Sequence, residues 1–180
     1  MKRFLLLLAV IMAAAAAFLA AGCTLQADGA PGDDETAMAE RQFSEEERKR
    51  MDLYLAAMKG AFREENGGRG FIAVKMDTLV GLSEEAKLAL LDELKVLSPN
   101  VYREEDIIND PTKIRYDEEG RFVGTINGSL LWVHLHEYDG DSAEITGGCT
   151  FGNLGAVLPR YEAVYKHGKW QLKIISMGMA

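Results

Sequence analysis

The spacing of apolar residues changes twice along the chain, near residue 43 and near residue 112. Before residue 43, an unbroken apolar run at residues 4–21 is followed by a polar stretch without periodicity at residues 24–42. Between residues 43 and 98, two stretches have apolar residues every three or four positions, which predicts helices. Beyond residue 112 apolar and polar residues alternate, which predicts strands. This order predicts an α+β domain over residues 43–180.

The first helix is predicted to begin after Ser44, whose hydroxyl can cap the backbone N–H of Glu47. The residues Asn66-Gly67-Gly68 accept the left-handed conformation that ends a helix. Between these limits lies an apolar stripe, which we interpret as core rather than as the wall of a ligand site. The stripe consists of Met51, Tyr54, Leu55, Met58 and Phe62.

A second helix is predicted after Ser83, with Glu84 and Glu85 at the positive end of its dipole. Pro99 ends it, because proline cannot continue a helix. Its apolar stripe is expected to face the core. The stripe consists of Leu90, Leu91, Leu94 and Leu97.

The rest of the domain is predicted to form strands and turns. Residues 71–76, between the helices, are rich in strand-forming residues and predict a short strand. Residues 100–111 are polar and irregular, with a helical turn predicted at residues 104–108. Six strands are predicted after residue 112. They span residues 113–116, 121–126, 129–138, 142–150, 160–166 and 169–177.

Turn signals separate these strands. Residues 117–120 predict one hairpin, and Asn127-Gly128, Asp139-Gly140 and His167-Gly168 each predict another, because glycine accepts the positive φ of tight turns. Hairpins between consecutive strands make an antiparallel meander. We therefore predict an α+β fold in which two N-terminal helices pack on a curved antiparallel sheet formed by the C-terminal meander.

The order of elements over residues 43–178, with residues 161–165 and then Gly168-Lys169-Trp170 opening the last strand, is similar to the nuclear-transport-factor-like fold. That resemblance implies a cone-shaped sheet. Residues 151–170 also look like those of small Gram-positive lipoproteins that are sometimes labelled as peptide-transporter components. No activity is carried over from that label, because the 157 residues after Cys23 are too few for a two-lobed receptor.

Residues 1–22 have the three parts of a secretory signal peptide: a basic start at Lys2 and Arg3, an apolar middle and a small-residue exit. The exit, Leu19-Ala20-Ala21-Gly22-Cys23, resembles the lipobox of bacterial lipoproteins, with Ala20 where leucine is usual. The resemblance implies that Cys23 is lipidated and becomes the first residue of the mature protein, on the extracytoplasmic side of the cell membrane. An uncleaved membrane-spanning anchor and ordinary secretion are the alternatives.

The segment that follows is predicted to be a tether. Residues 24–42 contain too few apolar residues to fold by themselves, and glycine, proline and acidic residues interrupt them. The predicted organisation is a signal peptide at residues 1–22, a lipidated cysteine and flexible tether at residues 23–42, and one α+β domain at residues 43–180.

Charge limits the partners of this chain. Without residues 1–22 it has 18 basic and 28 acidic residues, a formal charge of −10. Such a surface repels phosphate backbones and anionic headgroups, and no stripe of lysine or arginine interrupts it. We therefore expect no nucleic-acid partner, and we expect the lipid on Cys23 to make the membrane attachment.

Cys149 is the other cysteine of the chain. If Cys23 carries the lipid, no intramolecular disulfide can form, so stability has to come from the core. A catalytic thiol would need a basic partner and partial exposure. We interpret Cys149 as a small buried residue, since free cysteine is among the most buried residue types.

One predicted strand has an unusual row of rings. Trp132, His134, His136 and Tyr138 lie two positions apart, so all four side chains are expected on one face of the sheet. Such a row combines an apolar wall with polar groups, as ligand pockets do, although aromatic residues also stabilise cross-strand pairs on an ordinary outer face. Two histidines without a third ligand do not make a zinc site, so we expect neither metal nor cofactor.

Three functions remain open from the sequence. The first is a membrane-anchored, non-catalytic module that binds a small ligand, a peptide or an envelope protein. The second is a small enzyme in the curved sheet, with His134, His136 or an acidic neighbour as general base. The third is an accessory component of an envelope transporter. The first is favoured, because the sequence contains no strong catalytic motif.

Overall fold

The computed structural model describes residues 43–180; the predicted signal peptide, Cys23 and the predicted tether lie outside the described residues. Over this range the chain forms an α+β fold with three helices and a curled, half-barrel mixed sheet of eight strands. The predicted fold class is confirmed, and the curled sheet is consistent with the expected cone.

Helix α1 spans Glu45–Glu64 and begins as the sequence predicts. The Ser44 hydroxyl accepts a hydrogen bond of 3.1 Å from the Glu47 backbone N–H. All five residues of the predicted stripe are buried, and so are Leu53, Ala57 and Ala61, so α1 buries more of its circumference than one stripe. A helix that is buried over so much of its circumference is typically contacted from several sides, as α1 is by the curled sheet.

Helix α2 spans Glu84–Glu93, and the Ser83 hydroxyl caps it by accepting a 3.2 Å hydrogen bond from Ala86. The Glu47 carboxylate accepts a 2.7 Å hydrogen bond from the Ser83 backbone N–H, so the start of α2 is fixed to the start of α1. After α2 the chain tightens into one turn of 3-10 helix at Leu94–Val96. No helix within residues 43–180 is both long and apolar enough to cross a membrane.

The sheet has eight strands, of which the sequence predicts seven. The eight are β1 (Phe71–Val74), β2 (Val101–Arg103), β3 (Ile114–Tyr116), β4 (Phe122–Thr125), β5 (Gly128–Tyr138), β6 (Ser142–Gly152), β7 (Gly155–Lys166) and β8 (Lys169–Met179). The third helix, α3, spans Glu104–Ile107 and confirms the predicted helical turn. β2 precedes it directly in a segment predicted to be irregular, because three residues show no readable alternation.

The C-terminal meander β5 to β8 is antiparallel as predicted, and the sheet as a whole is mixed. β1 pairs in parallel with β2 on one side and with β5 on the other, whereas β3–β4, β5–β6, β6–β7 and β7–β8 are antiparallel. The β1–β2 pair is parallel because the chain returns to the same end of the sheet through α2, as parallel connections require. The sheet is therefore mixed, with its antiparallel part in the C-terminal half.

The hairpin predicted at Asn127-Gly128 is wrong. Asn127 does turn the chain, at a positive φ of 55°, but Gly128 enters β5 beside β1. The Asn127 carbonyl accepts a 2.9 Å hydrogen bond from the Gly70 backbone N–H, which sets the parallel register. β4 pairs instead with β3, and meets β6 at the Gly124–Gly152 pair.

The two faces of the sheet are covered to different extents by apolar side chains. The side that faces α1, here called the helix face, carries the main core. Its central sheet residues are Leu131, Val133, Ile145, Cys149 and Tyr161. Among residues 43–180, the opposite side, here called the outer face, is covered only at one corner, by a smaller cluster of Phe71, Ala73, Ile107, Ile114 and Leu130. The outer face of β5 beyond Leu130 is therefore left open.

Candidate functional site

A groove of about 530 Å³ opens on the outer face where the cover ends. Three segments line it: the loop and 3-10 turn that follow β1, the middle of β5, and β6. The lining residues are Lys75, Thr78, Trp132, Val133, His134, His136 and Thr146. The groove therefore contains three of the four residues of the predicted ring row.

Trp132 has a fixed orientation in this groove. It lies directly opposite Gly148 in the β5–β6 ladder. A Cβ at Gly148 would lie 2.0 to 2.5 Å from three carbons of the indole, Cε2, Cδ2 and Cζ2, so the ring lies face-on against the backbone of β6. The indole N–H donates a 3.2 Å hydrogen bond to the Thr150 hydroxyl. These contacts leave the other face of the half-buried ring to line the groove.

The two histidines form an edge-to-face pair beside Trp132. Their ring centroids are 4.5 Å apart and their planes are inclined by 77°. Nε2 of His136 is 2.9 Å from the Thr146 hydroxyl, so His136 is hydrogen-bonded across to β6. Thr146 is also the ladder partner of His134, which places both imidazoles over the same threonine.

A β-bulge separates Tyr138 from this row, so the prediction that all four rings share a face is wrong. Leu135 pairs with Ile145 but Glu137 pairs with Glu144, which leaves His136 as an extra residue on β5. A bulge resets the alternation of the strand that follows it.

Tyr138 therefore lies opposite Ala143 on the helix face. Its ring centroid is 6.2 Å from that of Trp170, and the Arg50 guanidinium lies 4.2 Å from the Tyr138 centroid. Tyr138 thus belongs to the packing around the start of α1 and not to the groove.

The 3-10 turn Met76–Thr78 brings a cation to the groove. The Thr78 hydroxyl donates a 2.7 Å hydrogen bond to the Lys75 carbonyl and accepts one of 3.3 Å from the Val133 backbone N–H. The Lys75 N–H donates to the Leu131 carbonyl at 2.9 Å. The backbone that carries Lys75 is therefore tied to β5 at two points.

Sequence reasoning missed Lys75, Thr78 and Thr146. Lys75 and Thr78 reach the groove through the parallel β1–β5 pairing, for which the sequence holds no local signal. Thr146 could be placed by counting back from the Asp139-Gly140 turn, but without the bulge that count puts Gly147 opposite His134. The bulge itself therefore decides which β6 residue faces the histidines.

The electrostatics of the groove favour a neutral His136 at pH 7. Burial lowers the pKa of His136, and the positive charge of Arg160 on β7 lowers it further, as does His134. Arg160 itself is ion-paired with Glu144 on β6. Opposing these effects, Glu144 and Glu137 raise the pKa of His136 by smaller amounts.

Cys149 lies on the other side of the sheet from the groove. It is fully buried on the helix face, which confirms the interpretation of it as a core residue. Burial raises the pKa of its thiol to about 11, so it is protonated at neutral pH. A thiol in this state is a poor nucleophile.

Within residues 43–180, no group of three histidine, cysteine, aspartate or glutamate side chains is arranged to hold a metal ion. A second groove of about 530 Å³ lies near β3 and β4. It is lined by Asn109, Pro111, Ile114, Arg115, Tyr116 and Val123. It lacks the indole wall and the paired imidazoles of the first groove.

Comparisons of the chain with protein-family models, with curated proteins and with solved structures gave no match. The geometry of the groove is therefore the basis for the functional conclusion.

Proposed function

We propose that this chain is an extracytoplasmic, lipid-anchored binding module whose groove beside Trp132 takes up a small ligand. The anchor is inferred from residues 1–23, with their signal-peptide pattern and the lipobox-like end at Cys23. The binding role is inferred from the groove in residues 43–180.

The main observation in support of the binding role is that the Trp132 ring lies against Gly148. One face of the indole is held against β6, its N–H is satisfied by Thr150, and the remaining face lines an open groove. A large ring held in this way offers apolar contact area without losing further side-chain freedom on binding. Two imidazoles and a hydroxyl lie beside it, which is the mixture of apolar wall and few polar groups that ligand pockets use.

A second candidate function is an enzyme in the same groove, and the state of His136 favours it. A neutral imidazole can accept a proton from a bound substrate, and the lowered pKa of His136 supplies that state at pH 7. Against it, the hydrogen bond to Thr146 already occupies Nε2. Binding followed by chemical change of the ligand, lost in His136→Gln while binding is retained, would establish the enzyme.

The groove can be tested with the chain's own fluorescence, because only two tryptophans are present. Trp170 lies on the helix face and donates a 2.7 Å hydrogen bond to the Lys49 carbonyl. In a Trp170→Phe variant the emission reports on Trp132 alone. Envelope metabolites and short peptides that bind in the groove should change this emission and shift the NMR signals of the Trp132 indole and Gly148.

The matched control is Trp132→Phe, which leaves Trp170 as the reporter. Ligands of the groove should not change its emission. A ligand that binds tightly while the signals of Trp132, His134 and His136 all stay unchanged would contradict the groove as the binding site.

The anchor is tested with Cys23→Ser. We expect this variant to lose lipoprotein processing and to leave the membrane fraction. Cys149→Ala changes the other cysteine and should leave processing and fractionation as in the original chain. Identical maturation and membrane attachment of Cys23→Ser would refute the lipid anchor.

A further inference from the structure

The charge of the groove is opposite to the charge of the chain. The chain carries 28 acidic and 20 basic residues. The lining of the groove, which lies wholly within the described residues, contains Lys75 and two imidazoles but no carboxylate. A local positive region on an acidic protein attracts anions to that place selectively.

The Lys75 ammonium is available for a ligand. Within residues 43–180, none of the ion pairs involves Lys75. Burial raises the pKa of Glu104, at the start of α3, and the positive charge of Lys75 partly opposes this rise, so the two side chains are neighbours. They do not come within ion-pair distance of each other.

The other acidic residues near the groove are already engaged or lie off its lining. Glu144 is paired with Arg160, which lies beside it on β7. Glu137 follows the bulge and is exposed to solvent. Within residues 43–180 no carboxylate is ion-paired with Lys75, so a ligand would not have to displace one, although Glu104 lies near enough to reduce the local positive potential.

The apolar part of the groove is the flat face of one aromatic ring. The indole of Trp132 presents one ring face, because Gly148 holds the other. A flat aromatic face of this kind stacks on planar rings, and it contacts the C–H faces of sugars in the same way. A ring that bears an acidic group would use the indole and the cation together.

We propose that the groove binds a ring compound that carries a carboxylate, with the ring on the Trp132 indole and the carboxylate toward Lys75 and the histidine pair. This inference rests on the proposed function, since it names the ligand class of the same groove. The ring has two sources, an aromatic acid or an acidic sugar, and both offer the same pairing of ring face and anion.

Acidification should strengthen this binding. Protonation of His136 adds positive charge beside the carboxylate site, while a carboxylate with an ordinary pKa near 4 stays ionised down to about pH 5. The groups that act on His136 are Arg160, Glu144, Glu137 and His134, and their net effect with burial is a lowered pKa. The gain in affinity is therefore expected at a pH below the ordinary pKa of histidine, about 6.5, because the pKa of His136 is lowered.

The test uses the full chain in detergent and two matched pairs of probes. Phenylacetate and its neutral amide, phenylacetamide, share one ring; glucuronate and glucose share another. At least one carboxylate should bind about two- to five-fold more tightly than its neutral partner, as expected for an ion pair with an exposed lysine. The pair that shows the difference identifies the ring as aromatic or as a sugar.

Lys75→Met should weaken binding of the carboxylate about two- to five-fold and leave binding of the neutral partner unchanged. Lys95→Met, at an exposed lysine paired with Asp92 after α2, is the control and should change neither. Thermal unfolding of both variants should match that of the original chain, so that a loss of affinity is not a loss of fold.

Three outcomes would overturn the inference. Equal binding of a carboxylate and its neutral partner, with Trp132 emission changed by both, would leave the groove as a site and remove the anion preference. Equal effects of Lys75→Met and Lys95→Met would remove Lys75 from the site. Absence of any carboxylate effect at about 10 mM probe, where even weak sites fill, would exclude the class, and the ligand screen of the Trp170→Phe variant then decides separately whether the groove binds at all.

Discussion

Gly147 of β6 lies against the backbone of Ala57 in α1, so closely that a Cβ at Gly147 would be 2.4 Å from the Ala57 carbonyl oxygen. The next residue, Gly148, makes an equally close contact on the opposite face, with Trp132. Neighbouring residues of a strand point to opposite faces of the sheet. The two adjacent glycines therefore allow two different close contacts, Gly147 with helix α1 and Gly148 with the Trp132 indole.

Gly147→Ala is expected to destabilise the fold. The new methyl group would meet the backbone of α1, which cannot rotate away as a side chain can, so overpacking should lower the free energy of unfolding by about 1 to 3 kcal/mol. Gly152→Ala, in the same strand, is the control, because a Cβ there has its nearest neighbour at 3.4 Å. Urea denaturation measures both. Equal stability of the two variants would show that α1 and β6 are not in close contact.

Gly148→Ala is expected to change the groove more than the fold. The new methyl group would coincide with three carbons of the half-buried Trp132 ring and would displace the ring from β6 toward the open groove. In the Trp170→Phe background we expect emission at longer wavelength, because the indole moves into water, together with weaker ligand binding. An unchanged emission maximum would contradict the seating of the indole on the glycine.

Leu94→Ala is expected to cost about 2 to 5 kcal/mol, because Leu94 is fully buried in the main core and its removal leaves a cavity. Leu88, on α2, is 39% exposed and serves as the matched control. Leu88→Ala should change the free energy of unfolding by less than about 1 kcal/mol. Denaturant titration of the two variants side by side tests whether the predicted leucine stripe holds the domain together.

Two buried tyrosine hydroxyls should respond oppositely to removal. The Tyr54 hydroxyl donates a 2.7 Å hydrogen bond to the Val80 carbonyl. The Tyr138 hydroxyl is buried beside the Glu46 carboxylate but makes no hydrogen bond of good geometry among the described residues. Tyr54→Phe should therefore destabilise by about 0.5 to 1.5 kcal/mol, whereas Tyr138→Phe should be neutral or stabilising. A loss in Tyr138→Phe as large as that in Tyr54→Phe would mean that Tyr138 has a partner.

Alkaline pH should destabilise the fold through Tyr161. Burial raises its pKa from 10.0 to about 12, and the charge of Glu64 acts in the same direction. A group whose pKa rises on folding contributes its full stability below the unfolded pKa and loses it as the pH increases through the folded value. The contribution of Tyr161 to the free energy of unfolding should therefore be level below pH 10 and fall between pH 10 and 12. Tyr161→Phe should reduce that fall, which unfolding measurements across the range would show.

The parts of the fold that the sequence predicts are those with local signals. Ser44 and Ser83 cap α1 and α2 as predicted, because capping needs only a hydroxyl a few residues from the amide it accepts from. The hairpins at Asp139-Gly140 and His167-Gly168 follow in the same way from turn residues and flanking alternation.

The remaining parts depend on contacts between distant segments. The hydrogen bond from Gly70 to Asn127 converts an expected hairpin into a parallel pairing, and nothing near either residue signals it. The same pairing brings Lys75 and Thr78 to the groove. Trp132, His134 and His136 could be predicted as one row because they lie on one strand, but Tyr138 could not be excluded, since a bulge leaves no mark in the alternation of residue types.

Because His136 is the extra residue of a bulge, its presence on β5 is independent of which face of the sheet the neighbouring residues occupy. Without His136, Leu135 and Glu137 would follow each other on alternate faces, and the ladder from Trp132 to Tyr138 would close without interruption. Elsewhere in the paired strand, deletion of one residue would shift the register by one and move the following side chains to the opposite face of the sheet. His136 alone is an addition to a hairpin that is complete without it. The second imidazole can thus be gained, lost or exchanged at no expense to the core, which makes it the most freely adjustable part of the groove.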